Sequence, residues 1–425
     1  MNYFYLLLAI YYTLFTFLAC RRLSWALLFV IAALPSYLVR FHIGPIPMTL
    51  LEGMILIVTV VWMLQRFRIK DLKLKQSFNF NLLSFNLPLL FFLFSATISL
   101  FVAPDLRAAA GIWKAYFVEP ILFFLVLSTL LKTRQLQRTH IIAALGVSLL
   151  IPALFAIYQQ FTGAFIANPF WAAEATRRVT SFYGFPNAIG LYFAPVILLL
   201  IGAALYSKSK NKFYILTALL ALAAIIFAQS KGALAGILVG LIFFAVFAKG
   251  YRRIFTSIII AALIAAALSP QLRTFTGSRT VSGGGSLEVR TQQWTETWKM
   301  LKTRPILGAG LSGYQTRVAP FHQKKYIEIF MYPHTIMLNF WSEIGLLGLF
   351  AFAWLIFAFF RTTFPSLKIR EGRVGYESIT IAATAAMITL LVHGLVDVPY
   401  FKNDLAILFW VIYALPFAQP LITET

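Results

Sequence analysis

The chain is expected to fold as an all-α polytopic membrane protein, and three observations lead there. Of its 425 residues, 60% are apolar, and the mean hydropathy is +0.82. Apolar runs long enough to cross a bilayer recur from end to end. Only 12% of residues are charged, and most of the basic ones flank those runs, where they orient helices. The net charge of +22 therefore names no nucleic-acid partner.

In chain order the apolar segments fall at about 2–20, 24–39, 48–64, 82–102, 112–131, 139–160, 188–206, 213–229, 232–248, 254–268, 334–360, 376–396 and 404–418. They predict about 12–13 transmembrane helices, the first with second and eighth with ninth separated by only a few residues. The first run, Tyr3 to Ala19, lacks a preceding basic stretch and a following small-residue cleavage site, so it is expected to be a retained helix. Cys20 is the single cysteine, which rules out a disulfide within the chain or a cysteine metal cluster. No internal repeat or long low-complexity stretch divides the chain, which reads as one polytopic domain, 1–425.

The short connectors alternate in charge. Arg21-Arg22, Arg66 to Lys75, Lys132 to Arg138, Lys208 to Lys212, Lys249 to Arg253 and Arg361 to Arg373 hold 20 of the 36 Lys and Arg residues. The positive-inside rule puts them in the cytoplasm. Residues 269–333, 161–187, 103–111 and 397–403 then share the outer side, where cytosolic nucleotides do not reach.

The long polar loop 269–333 carries nine basic residues. After the flexible turn Gly283-Gly284-Gly285-Ser286, Ser286 is placed to cap a helix running to about Thr303, with Glu288 in its first turn and Pro305 just past its end. Leu287, Trp294, Trp298 and Leu301 share a face at helical spacing, with Arg290 on its edge. The ordinary reading of such an arginine is a stem laid on the membrane interface with its head in water. Downstream come Arg304, Arg317, His322 and Lys324-Lys325, then Tyr332-Pro333-His334. Proline suits a helix start, so His334 is expected in the first turn of the next helix. The positive end of a helix favours a neutral imidazole there, which accepts a proton as a general base must. Several arginines, one histidine and no nearby acid or thiol nucleophile suit displacement of a diphosphate by a hydroxyl, the guanidiniums holding the leaving group bidentately. The sequence has no Asp-x-Asp, His-Glu-x-x-His or phosphate-binding glycine loop, so neither a metal nor a nucleotide cofactor is expected.

These residues form a series. Arg290 and Trp294 stand on one predicted helix, followed by Pro305-Ile306-Leu307-Gly308-Ala309-Gly310 and then by His334 with Glu343-Ile344-Gly345-Leu346-Leu347-Gly348. The series resembles the O-antigen ligase and polymerase superfamily, with its P-x-x-G-x-G, His and E-x-G-L-x-G segments. Upstream, Arg178 through Pro186-Asn187 is similar to that family's R-x-x-G-x-x-x-x-P-N segment, and Ser230-Lys231-Gly232 to its S-R-G/A. The resemblance covers about 178–350. It implies a metal-independent, inverting membrane glycosyltransferase of GT-C type in the bacterial cytoplasmic membrane. Such an enzyme moves a glycan from an undecaprenyl diphosphate carrier to an acceptor hydroxyl on a glycan or lipid-linked partner at the outer face. By motif, His334 and Arg290 would be catalytic, His334 as the base, and Arg178, Arg290 and Lys231 would bind the donor diphosphate. Thr335 stands where the family usually has Asn, Ser181 where it has Gly, and Lys231 where it has Arg; Lys231 keeps the charge without the bidentate fork.

Ligase, polymerase and protein O-oligosaccharyltransferase share that donor and differ in acceptor. A transporter of lipid-linked glycans is the alternative from another class, and Glu119 is its best intramembrane charge. His393 and Asp397, one helical turn apart, read as a helix-end polar pair, and Gly345 and Gly348 as sites of close helix packing. Glu343 lies about 180° round the helix from His334 and is not expected to partner it. Arg107 and Lys114 share a face and are candidates to hold carrier phosphates, against an ordinary snorkelling role.

Overall fold

A computed structural model describes residues 3–68, 82–206, 211–268, 286–323, 327–368 and 374–417. The expected turn at 283–285 and the pair Lys324-Lys325 lie outside the described residues. Helices α1 (Tyr3–Arg21) and α2 (Leu23–Ala32) open the chain. Pro35 has no amide hydrogen to continue α2, and the chain passes through the 3₁₀ turn Leu34–Leu38. An antiparallel hairpin follows, β1 (Arg40–Ile43) paired with β2 (Ile46–Thr49), where the sequence reading has only a connector between spans.

Next come α3 (Leu50–Arg68), α4 (Leu82–Val102) and α5 (Leu106–Lys132). Asp105 caps α5, accepting the amides of Arg107 and Ala108 at 2.9 and 3.0 Å, so this helix starts earlier than its apolar run. A π-helical turn, Lys114–Val118, interrupts it. The series continues with α6 (Arg138–Thr162), α7 (Pro186–Tyr206), α8 (Asn211–Phe227), α9 (Lys231–Phe247) and α10 (Arg252–Leu268). It ends with α11 (Ser286–Thr303), α12 (Ile336–Lys368), α13 (Val374–Gly394) and α14 (Asn403–Ala414).

Every predicted apolar segment thus overlaps a helix, although α2 covers only the first part of 24–39, and the architecture is that of an all-α polytopic membrane protein. Among the described residues, five helices are long and apolar enough to cross a bilayer unaided: α1, α5, α6, α7 and α12. The segment Lys231–Phe247 and the one after it bend by 110°, and as a pair they make a sixth candidate. Shorter apolar helices fill the remainder. Outward residues such as Leu216, Leu219 and Ile226 on α8 are large, apolar and exposed, as a lipid-facing surface requires.

The core is organised around α14, whose residues from Asp404 to Ala414 are all buried. Helix α13 packs closely on α7 and α9, because small residues face it: the Thr389 hydroxyl donates to the Gly236 carbonyl at 3.0 Å. Phe92, Phe340, Tyr400 and Trp410 form an aromatic cluster between α4, α12 and α14. The Tyr400 hydroxyl donates to the Tyr116 carbonyl at 2.8 Å and accepts from the Trp410 indole at 3.2 Å. These bonds fix the segment leading into α14, where residues of one cavity described below give way to Asn403 of the other.

Candidate active site

Helix α11 spans the expected residues, but its buried face is rotated from the expected one. Gln293, Glu296, Thr297, Met300 and Leu301 are buried, while Trp298 is 47% exposed. Glu296 and Thr297 occupy that face because they are paired, whereas the Gln293 carboxamide is buried without a hydrogen-bond partner. Glu296 accepts from Gln292 (2.6 Å) and from the amide of Gln323 (3.1 Å) and meets His322 Nδ1 at 3.1 Å, while Thr297 bonds Tyr314 at 2.8 Å. Met300, Leu301, Ala309, Tyr314 and Val318 form a small core of this outer region.

The glycine motifs explain how the region docks. Helix α12 breaks at Ile344-Gly345, where Gly345 takes φ +72°. The Ile306 carbonyl accepts the Leu346 amide at 2.8 Å, and a Cβ on Gly345 would meet that oxygen at 2.5 Å. On the facing loop Gly308 (φ +65°) lies against the carbonyls of Trp341 and Ser342, and the Ala309 amide donates to Ser342 at 2.6 Å. Gly345 therefore serves a helix break, not the helix packing expected of it; Leu-like side chains fit neither position. Glu343 accepts the Ser312 amide at 2.7 Å and is remote from His334, as its helical phase predicts.

His334 does not sit in the first turn of α12. The helix begins at Ile336, the Thr335 carbonyl accepts the Asn339 amide, and His334 lies before that cap at φ +48°, a conformation uncommon for a side-chain-bearing residue. The Trp294 indole holds the Pro333 carbonyl at 2.8 Å, so the helix that carries Arg290 also fixes the turn that presents His334. Phe330 and Tyr332 each meet its ring edge to face at 5.3 Å.

The partner of His334 is Asp397, 63 residues away in sequence, with Nδ1 and Oδ1 3.3 Å apart. This corrects two expectations: an acid does stand beside the histidine, and Asp397 pairs with His334 instead of ending a helix with His393. Asp397 falls beyond the end of α13, so helical phase no longer ties it to His393. Burial opposes its charge, yet the hydrogen bond and charge of His334, the nearby His393 and the Val398 amide (2.9 Å) together hold its carboxyl down at about 2.

The network continues. Asn187 Nδ2 donates to Asp397 Oδ2 at 3.2 Å, and Arg178 donates to Asn187 Oδ1 at 3.3 Å and to the Ala228 carbonyl at 3.1 Å. Burial and the neighbouring Arg290 both push the Arg178 guanidinium below its usual range. The loop of Arg178 is held by Gln159, whose Oε1 accepts the amides of Thr180 and Ser181 at 3.0 and 2.7 Å. Ser181 has φ +50°, which accounts for glycine in the resembling motif at that place.

Arg178, Arg290, His334, Asn187 and Asp397 line one cavity of about 350 Å³, closed by apolar groups such as Trp171 and Phe185. Lys231 does not line it. It opens α9 near enough to Arg178 for the charges to interact, and the adjoining Ala228 carbonyl anchors Arg178. Arg107 and Lys114 line a different cavity of about 560 Å³ with Glu52 and Asn403. Glu119, expected as an isolated intramembrane charge, lies 3.8 Å from Lys114. Three of the loops expected on one side, 161–187, 269–333 and 397–403, meet at the first cavity, and 103–111 reaches the second.

The arrangement places two guanidiniums, chemically suited to an anion, beside an imidazole whose orientation a carboxylate fixes. Residues 216–353 match the family model for O-antigen ligase, a stretch that contains Arg290 and His334 but not Arg178, Asn187 or Asp397. No curated protein matches the chain.

Proposed function

We propose, on the premise that this chain belongs to the O-antigen ligase and polymerase superfamily and is a membrane glycosyltransferase-type enzyme, that its first cavity transfers a glycan from an undecaprenyl diphosphate carrier to an acceptor hydroxyl. The observation that carries this reading is the meeting of Arg178, Arg290 and His334 in one cavity. Arg178 and Arg290 bind the diphosphate, and their charge grows in value as the leaving group's charge develops. Asp397 accepts Nδ1–H of His334, which leaves the Nε2 lone pair to take a proton. The acceptor oxygen attacks the anomeric carbon from the face opposite the diphosphate. The new C–O bond forms as the bond to the diphosphate oxygen breaks, the proton passes to Nε2, and undecaprenyl diphosphate leaves, with inversion. Lys231 contributes charge behind Arg178 and no direct contact.

The reading puts the reaction at the outer face of a bacterial cytoplasmic membrane, with the whole chain acting as one polytopic unit, and needs no divalent metal because two guanidiniums neutralise the leaving group. The test is transfer by purified protein given undecaprenyl diphosphate glycan, EDTA and two competing acceptors, a lipid A core and a lipid-linked repeat unit. Transfer should proceed without nucleotide release. A product extended by one glycan on the core identifies a ligase; a lengthening lipid-linked chain identifies a polymerase. Activity that requires a divalent cation overturns the mechanism.

A further inference from the structure

The second cavity has a different chemistry from the first. Its volume of about 560 Å³ is within the span of ligand sites. Its walls come from the β1–β2 hairpin, the start of α5 and the N-terminus of α14. The two cavities share a wall, since Lys402 lines the first and the next residue, Asn403, lines the second. A π-helical turn in α5 turns Lys114 into it, an irregularity frequent at functional sites.

Several of the charged groups here hold one another or the backbone. Lys114 Nζ stands 3.3 Å from Glu52, which also accepts the Thr49 amide at 2.8 Å and the Asn403 carboxamide at 2.9 Å. Arg107 donates to the Pro45 carbonyl at 2.6 Å, tying the hairpin tip to α5. Asp105 is spent on capping α5. The lining sets Arg40, Arg107 and Lys114 against Glu52 and Asp105, an excess of one cation where the first cavity's lining has an excess of two. It has fixed donors and acceptors, which suit a polyhydroxylated ring whose every hydroxyl both donates and accepts.

Glycan transfer joins two saccharides, and the first cavity is taken up by the donor's diphosphate. We propose that the second cavity binds the acceptor saccharide and delivers its hydroxyl across the shared wall toward His334. This rests on the function proposed for the first cavity.

Gly111 lies in the cavity wall on α5, and a Cβ there meets nothing within 4 Å. Gly111→Phe therefore starts its side chain from open space at the cavity wall and removes a glycine from a helix; the thermal melt of the purified variant checks that it is folded. Initial rates are measured against acceptor concentration and, separately, donor concentration, with lipid A core and lipid-linked repeat unit as parallel acceptor arms. In the arm that wild type uses, Gly111→Phe is expected to raise the acceptor KM about tenfold or more, with the donor KM and the slow hydrolysis of donor by water unchanged. Arg40→Ala, on the hairpin wall, should raise it several-fold in the same arm. An active wild type with an unmoved acceptor KM in both variants overturns this proposal alone, as does a rise in donor KM instead. A wild type that transfers to neither acceptor defeats the reading of the first cavity, and this proposal with it.

Discussion

The two cavities hold similar residue types in different states of charge balance. In the first, burial and the neighbouring Arg290 both oppose the charge of Arg178, and Asp397, the one carboxylate among the described lining residues, is turned toward His334 and Asn187. In the second, Lys114 is satisfied by Glu52, and Arg107 by a backbone carbonyl. A site that leaves like charges facing each other stores affinity for an anion; a site that has paired them gives orientation and hydrogen bonds. Counting basic residues in the sequence does not distinguish these cases, and pairing does.

The largest effect is expected at His334. His334→Ala should lower transfer by about 10³-fold, since the carboxylate in the same lining, Asp397, is engaged by His334, Asn187 and the Val398 amide and is a weak base. Asp397→Asn comes next, at about 10²-fold in kcat, because a carboxamide does not hold the same tautomer. The Asp397 change has a second readout. The carboxyl is depressed from 3.8 to about 2, so its stabilising contribution is complete above about pH 4 and fades as pH falls through about 2. Thermal melts of the detergent-solubilised protein across that window should flatten in Asp397→Asn. Arg290→Lys, keeping charge and losing the fork, should cost roughly tenfold in kcat/KM. Gly345→Ala touches neither cavity and should appear as a loss of stability of about 1–3 kcal/mol in the same melts, from the strained φ and the Ile306 carbonyl.

Much of the fold was legible because apolar run length is a direct physical requirement of a bilayer, and each run became a helix. The β1–β2 hairpin was hidden, since its four-residue strands lie between spans with no alternation strong enough to separate them from a connector. Helix α11 was legible in its bounds and not in its face, because Glu296 and Thr297 are buried through partners in other segments that helical spacing cannot reveal. Arg290 and His334 stood out through the motif order, and Arg178 through the Pro186-Asn187 segment. Asp397 was visible only as a neighbour of His393; its real partner is long-range. Asn187, which links Arg178 to Asp397, has no role that the sequence shows beyond its place in the Pro186-Asn187 segment. The departure at Ser181 found its explanation only once its left-handed backbone was known.

The central claim is that the first cavity separates holding the diphosphate from taking the proton. The most direct measurement compares wild type with His334→Ala for equilibrium binding of the undecaprenyl diphosphate glycan and for single-turnover transfer, in EDTA. The account predicts donor binding within about twofold of wild type and transfer reduced about 10³-fold. Transfer at the wild-type rate by His334→Ala, in protein that binds donor normally, would contradict it.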